Sequence, residues 1–268
     1  VNNNVKMFTR SFSIKRIIIN NAFWRSASII INKLVRLFVV FFVAKSLGPS
    51  GFGYYNYVLA LVSVFFVFSD WGVNILMARD IHQREEDKKS VVNSALAAKL
   101  VLIFLPFLIG LAYLVFFQNA KHLLLGLIVM GMLCFNAVKE VFNNYFIAIQ
   151  ESFYEFVVYI VEDLILVFLI FYTIFVSSSV VGFALWYLAA SIVAFFIGLV
   201  LVNSKIGISL SSVKVEEIKR VFKDGLPLSL FGVLGYIFFS TDQLFVAHYF
   251  GYVEVGYYAF AAKLILTF

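Results

Sequence analysis

Long apolar runs alternate with short polar interruptions along this chain, at a spacing that suits a bilayer. With about 20 apolar residues needed per span, the runs near 17–46, 54–78, 91–117, 123–149, 154–176, 180–203 and 224–249 each predict a membrane helix. An eighth begins near 255. The interruption at 203–223 is the longest and contains VKVEEIKRVFKDG. Its Glu216/Arg220 and Glu217/Lys219 combinations predict a short amphipathic helix lying on the membrane surface.

Basic residues alternate between successive connections. The N-terminal lead carries Lys6, Arg10, Lys15 and Arg16. The second-to-third connection holds Arg79, Arg84, Lys88 and Lys89, and the sixth-to-seventh holds Lys205, Lys214, Lys219, Arg220 and Lys223. The connections between them have only Lys45 and Lys121 or nothing basic, and only the fourth-to-fifth, with Lys139 beside acids, is weak. The positive-inside rule then puts the N-terminus in the cytoplasm and the Gly-bearing turns outside. The lead has no cleavage site and reads as a cytoplasmic lead-in rather than a signal peptide. Val1 and a terminus inside an apolar run at Phe268 read as a piece of a longer chain, starting at an alternative codon or an incomplete end.

Composition agrees. Apolar residues make up 63% and charged residues 13%, against about 45–50% and about 25% for a soluble domain. Mean hydropathy is +0.97. The net charge of +6 is spent on topology, so nucleic-acid binding is not expected. Cys134 stands alone, which leaves neither a disulfide framework nor a thiolate metal site.

One stretch is written twice. FVAKSLGPSGFGYYNYVLALVSVF at 42–65 is matched from Phe245 by FVAHYFGYVEVGYYAFAAKLIL, with Gly48 paired to Gly251 and Gly53-Tyr54-Tyr55 to Gly256-Tyr257-Tyr258, always at one offset (251 − 48 = 203). In each copy an apolar helix ends, a Gly-bearing turn follows and a Gly-Tyr-Tyr step opens the next helix. A fixed offset predicts a parallel internal repeat. The expected fold is an all-α integral membrane protein with a two-lobe transporter architecture of six helices per lobe. The first lobe is 1–203, a cytoplasmic linker 204–223, and the second lobe 224–268, truncated after about its second helix.

Polar residues inside the spans are the candidates for function, because charge there is costly. On the first helix, Asn21, Arg25, Ser28, Asn32 and Arg36 recur every three or four residues and share one stripe, with Lys33 at its border. Such a stripe suits an anionic head such as a phosphate or pyrophosphate. Alternatively, Arg25 snorkels to the interface and Arg36 pairs with an acid. Lys99 in the third helix either adds to this field or snorkels. Asp70, Glu162, Asp163 and Asp242 are either H⁺- or Na⁺-coupling carboxylates or charge compensation. Asp70 stands one turn from Asn74, and Glu155, Tyr159 and Glu162 share a face. Ser229, Gly232, Tyr236 and Gln243 share a face of the seventh helix, which Pro227 and the glycines mark as kinked and cavity-facing. His82, His122 and His248 are scattered, and no nucleophile elbow, phosphate loop or paired metal ligands are present. No catalytic residue, metal or cofactor is expected.

The run Ala44-Lys45-Ser46-Leu47-Gly48-Pro49-Ser50-Gly51-Phe52-Gly53-Tyr54 resembles the turn after the first helix of polysaccharide biosynthesis proteins of the O-antigen flippase type. Asp70-Trp71-Gly72-Val73 followed by Arg79-Asp80-Ile81 resembles that family's second-helix ending. The run from Gly225-Leu226-Pro227-Leu228 through Asp242 to Gly256-Tyr257-Tyr258 is similar to the opening of its second lobe. The resemblance implies membership of the multidrug/oligosaccharidyl-lipid/polysaccharide exporter group, with two lobes around a cavity and alternating access. It implies a cytoplasmic-membrane flippase for polyprenyl-pyrophosphate-linked oligosaccharide, from which this chain departs by lacking most of a second lobe. The expected substrate-binding set is Arg25, Arg36, Lys33 and Lys99 for the pyrophosphate and Asn21, Asn32, Tyr236 and Gln243 for the sugars. Glu162, Asp163 and Asp242 are coupling candidates. A multidrug cation antiporter would want an acidic cavity, and a lipid-linked sugar polymerase or ligase a long outer loop, so both fit less well.

Overall fold

The computed structural model describes residues 2–83, 87–117, 119–175, 178–209, 213 and 215–267, and throughout these it is helical apart from short turns. The side chains of Lys6, Arg10, Lys15, Arg84, Glu85, Glu86, Lys214 and Ser240, which entered the sequence reading, lie outside the described residues. The helices are α1 (Asn2–Phe66), α2 (Val73–Gln83), α3 (Lys88–Phe117), α4 (Ala120–Ala148), α5 (Ser152–Phe175), α6 (Val180–Ile206), α7 (Val215–Phe250) and α8 (Tyr252–Thr267).

The first helix is two arms joined at a hinge. Gly48 has φ 68° and ψ 172°, a combination open essentially to glycine, and Pro49 after it disfavours helical geometry at the preceding residue. Arg36 and Leu59 line one cavity, although a straight helix would hold them about 35 Å apart. The chain therefore doubles back at Gly48, and the arms are the first two predicted spans. The helix also starts earlier than expected, at Asn2, so the polar lead continues it.

The predicted second span, 54–78, is interrupted. Its arm ends at Phe66, one 3₁₀ turn (Val67–Ser69) follows, and Trp71 (φ 40°) and Gly72 (φ 70°) turn the chain into α2. The cause is tertiary: a Cβ on Gly72 would stand 2.9 Å from Leu228 Cβ and 3.1 Å from the Gly225 carbonyl oxygen. Beyond this corner, Val73, Leu76, Met77 and Ile81 bury one face of α2 in a cluster with Val92, Phe142 and Phe146. Residues near the other end, including Val43, Tyr55, Val58, Met130 and Leu166, form a separate core.

The segment expected to form an amphipathic helix before the seventh span makes up the first part of α7, which starts at Val215. Glu216 and Glu217 occupy its first turn, where carboxylates complement the helix dipole. The helix bends by 45° between Leu230 and Gly232, next to one of the glycines that marked it as kinked. Residues Arg16–Gln83, Lys88–Phe117, Ala120–Ala148 and Val180–Ile206 are long and apolar enough to cross a bilayer, and bent α7 adds another such stretch. Because Arg16–Gln83 folds back at Gly48, it accounts for more than one pass. Large apolar side chains such as Phe104, Phe116, Phe168 and Val200 are exposed on the outside of the bundle, as a hydrocarbon environment permits.

Turns at Gly48 and Gly251 mark one end of the bundle, and the Trp71–Gly72 corner marks the other. Gly251 has φ 96°, so both glycines of the repeated pair sit in left-handed turns. The arm after Gly48 and α8 then cross in backbone contact. A Cβ on Gly53 would overlap the Tyr252 carbonyl oxygen and stand 2.7 Å from Gly256 N, and a Cβ on Gly256 would overlap the Pro49 carbonyl oxygen. Pro49 and Tyr252 are themselves related by the repeat offset (252 − 49 = 203). Each copy therefore presents the same glycine to the same carbonyl of the other. Small residues of this kind let membrane helices approach closely.

Candidate functional site

Two adjoining cavities lie between α7–α8 and the rest of the bundle. The larger, about 560 Å³, is bounded by the Asp70–Gly72 corner, Lys99, Glu140 and the α7 face of Leu228, Ser229, Gly232 and Tyr236. The smaller, about 400 Å³, lies between the two arms of α1 and is lined by Arg36, Tyr55, Tyr187 and Lys263. Leu133 and Asn136 of α4 border both. Volumes of this size suit a small-molecule or head-group site.

Helix α1 delivers Arg36 to the smaller cavity on a face that is otherwise tied to α5. At the start of α5, Asn21 Oδ1 accepts from Ser152 N at 3.1 Å, satisfying one of the helix's orphan amides. Ser28 is buried. Asn32 donates its amide to both oxygens of Asp163, at 3.0 and 3.2 Å. Arg36 then donates to Tyr187 Oη at 2.8 Å and meets Glu162 at 3.5 Å. Glu162, wholly buried, also takes Lys139 Nζ at 2.5 Å, and Lys139 donates to Asn136 Oδ1 at 2.7 Å.

Arg36, Lys139, Glu162 and Asp163 thus form a quartet with balanced formal charge. The quartet holds the guanidinium in place, since a buried ion on its own would be expensive. Arg36 nonetheless keeps 39% of its side-chain exposure, and it lines the cavity. Across the same cavity Lys263 donates to Asn56 Oδ1 at 2.7 Å and lies over the Phe52 ring at 5.3 Å. Among the described lining residues of this cavity the charged groups are Arg36 and Lys263, with no carboxylate. Two cations and the Tyr187 hydroxyl can hold an anion by charge-assisted hydrogen bonds.

The predicted residues therefore part company. Arg36 lines the smaller cavity; Lys99 and Tyr236 line the larger one. Lys99 is paired there with Asp70 at 2.9 Å, and Asp70 also accepts from Asn74 at 2.9 Å. Asn21 and Asn32 are spent on α5. Arg25 and Lys33 are exposed, and Arg25 interacts with buried Glu155. Gln243 borders neither cavity, and Asp242 accepts from Tyr258 Oη at 2.7 Å on the α7–α8 side. Glu162 and Asp163 stand together beside the site, each already engaged. Lys263 was missed, although a lysine in the run AAKLIL is a signal of the same kind that singled out Lys99. Glu140, which accepts from Tyr159 Oη at 3.1 Å, was missed too.

Comparison with known proteins adds a family to this geometry. Over 266 aligned residues the chain is 24% identical to "Putative O-antigen transporter" from Shigella flexneri, an alignment covering 93% of this chain and 62% of that protein. The chain thus spans under two thirds of the length of that curated relative. No solved structure matches it. The family described as polysaccharide biosynthesis protein matches residues 18–268. With its long apolar helices this is a multi-pass membrane protein, and the chain belongs to the polysaccharide biosynthesis protein family.

Proposed function

We propose that the protein is a flippase that moves a polyprenyl-pyrophosphate-linked oligosaccharide across the cytoplasmic membrane by alternating access. The carrying observation is the smaller cavity, which both Arg36 and Lys263 line, with no carboxylate in the described lining. Guanidinium and ammonium groups lining one cavity suit a pyrophosphate, whose oxygens can take forked and single bonds at once. The larger cavity, with Asn74, Asn136, Ser229 and Tyr236, offers hydroxyl and amide groups for the sugars, while the lipid tail stays in the bilayer. Lys99, paired with Asp70, lines the same cavity.

In this reading 1–203 is one six-helix lobe, 204–223 the cytoplasmic linker and 224–268 the opening of a second lobe, with the N-terminus in the cytoplasm. The exchange of equivalent contacts at Gly53 and Gly256 supports two lobes related by a pseudo-two-fold axis, the arrangement in which rocking exposes a central site to either side. The role given to the first-helix stripe narrows to Arg36, because Asn21 and Asn32 brace α5. Glu162 and Asp163 remain the coupling candidates, since protonating either would loosen the hold on Arg36 or Asn32.

The test uses the protein in proteoliposomes containing a fluorescent polyprenyl-pyrophosphate oligosaccharide, following label that reaches the opposite leaflet. Arg36→Gln with Lys263→Gln should slow movement at least about 100-fold while the protein elutes as a folded species. Unchanged movement would remove the pyrophosphate site from this cavity. Absent lipid movement together with uptake of organic cations would favour an antiporter.

A further inference from the structure

The Gly48 end holds a second cavity that the flippase reading does not use. About 420 Å³ in volume, it is lined by Tyr57 and Leu61 of α1, Tyr113 of α3, Leu244, Ala247 and His248 of α7, and Tyr252 of α8. Tyr252 continues into an aromatic cluster with Tyr54, Tyr57 and His122. Its ring centroid is 5.4 Å from Tyr54 and 5.3 Å from Tyr57, and its hydroxyl shares a 2.9 Å hydrogen bond with His122 Nε2. Tyr54 Oη and His122 Nδ1 in that cluster are enclosed without a partner among the described residues. His248 is exposed, so the cavity has an open side.

Aromatic residues at a membrane boundary are ordinary when they face lipid. These converge from four helices on one partly open cavity instead. The chemistry there is uniform: three phenol rings, one imidazole and three aliphatic side chains, with no carboxylate, lysine or arginine among the described lining residues. An anion would find no countercharge, and an organic cation would find rings but no carboxylate. A neutral ligand with an apolar C–H face and a rim of hydroxyls would find both complements. Its C–H hydrogens meet the negative face of a ring, and its hydroxyls exchange hydrogen bonds with Tyr and His groups, which both donate and accept.

We propose that this cavity is a carbohydrate subsite, distinct from the cationic cavity, which takes neutral pyranose units of the transported glycan at the Gly48 end. The assignment of a glycan as cargo rests on the flippase reading, whereas binding of free sugar here does not. The site joins helices on both sides of the Gly53–Gly256 crossing, so a sugar held there bridges α1 and α3 to α7 and α8.

The test is saturation-transfer difference NMR on the whole protein in lipid nanodiscs. The probes are neutral tri- and tetrasaccharides of glucose, galactose, N-acetylglucosamine and rhamnose, with tetraethylammonium for comparison. Ring C–H signals are expected from at least one saccharide, about five-fold weaker in Tyr252→Leu and in Tyr57→Leu. Tyr252→Phe, which keeps the ring, should retain them to within two-fold and shows that the position tolerates change. Silence from every saccharide, or binding of tetraethylammonium in their place, would overturn the proposal. So would signal lost in Arg36→Gln and kept in Tyr252→Leu, since that puts the sugar in the cationic cavity. Saccharide binding that depends on Tyr57 and Tyr252, in a protein that moves no lipid-linked oligosaccharide, would uphold the subsite and retire the flippase reading. Lipid movement with no saccharide binding would do the reverse.

Discussion

The two ends of the bundle hold α7–α8 against the remaining helices by different mixtures of contacts. At the Gly48 end the contact is backbone on backbone, where Gly53 and Gly256 leave no room for a Cβ, backed by the Tyr54, Tyr57, His122 and Tyr252 rings. At the Trp71–Gly72 end there is also a close backbone approach, of Gly225 to the Trp71 carbonyl oxygen, but most of the further contacts are polar. Arg220 pairs with Asp80 at 2.5 Å, Arg79 reaches Asp80 at 3.1 Å and Asp224 at 3.8 Å, Ser94 donates to Glu217 at 3.0 Å, and the Trp71 indole donates to the Phe222 carbonyl at 3.0 Å. A steric fit between backbones is close to all-or-none, whereas ion pairs with partly exposed arginines weaken gradually and reseat without repacking. The ion pairs at the Trp71–Gly72 end are therefore the contacts that can reseat, whereas the Gly53–Gly256 crossing has no such latitude.

The sharpest way to break this comparison is to fill the crossing. Gly53→Leu or Gly256→Leu should cost about 3 kcal/mol or more, because a side chain there displaces backbone rather than a flexible neighbour. The expected readout is a collapse of the folded peak on size-exclusion chromatography in detergent. Normal elution and thermal stability would mean the crossing is loose and the two ends do not differ as described.

At the polar end the effects should be smaller and asymmetric. Arg220→Gln leaves Asp80, only 5% exposed, with Arg79 as its remaining partner, and should raise opening by about 2 kcal/mol. Asp80→Asn leaves only partly exposed arginines behind and should cost less. Labelling of Phe222→Cys by a membrane-impermeant thiol reagent, in a Cys134→Ser background, reports this as about a 30-fold faster rate for Arg220→Gln. Equal rates in the two variants would contradict the burial argument. Smaller still, Trp71→Phe removes one indole donor while keeping a ring, which should raise the same rate about five-fold, near 1 kcal/mol. No change would mean that this hydrogen bond contributes nothing to holding the end closed.

Part of the candidate site was legible in the chain and part was not. The stripe Asn21, Arg25, Ser28, Asn32 and Arg36 follows from helical spacing alone. Spacing shows that five residues share a face without saying what the face meets. Four of its members were spent on α5, buried or left exposed, and only Arg36 reached a cavity. Asp70 and Lys99 were each singled out as intramembrane charges, and their ion pair is a fact of the corner after α1 lying beside α3. Lys263 joins Arg36 across 227 residues (263 − 36 = 227), a distance at which no local pattern operates.

The sequence by itself determined that the chain crosses membranes and that one Gly-bearing turn is written twice. These follow from local causes: an apolar run long enough to replace water with hydrocarbon, glycines that permit left-handed turns, and an offset that can be counted. Tertiary structure alone decided which helix faces another helix, which charges pair and which remain in a cavity. The reason is that lipid tails are as apolar as leucine. In a bilayer, a leucine facing protein and a leucine facing lipid look the same along the chain, and only shape and polar pairing tell them apart.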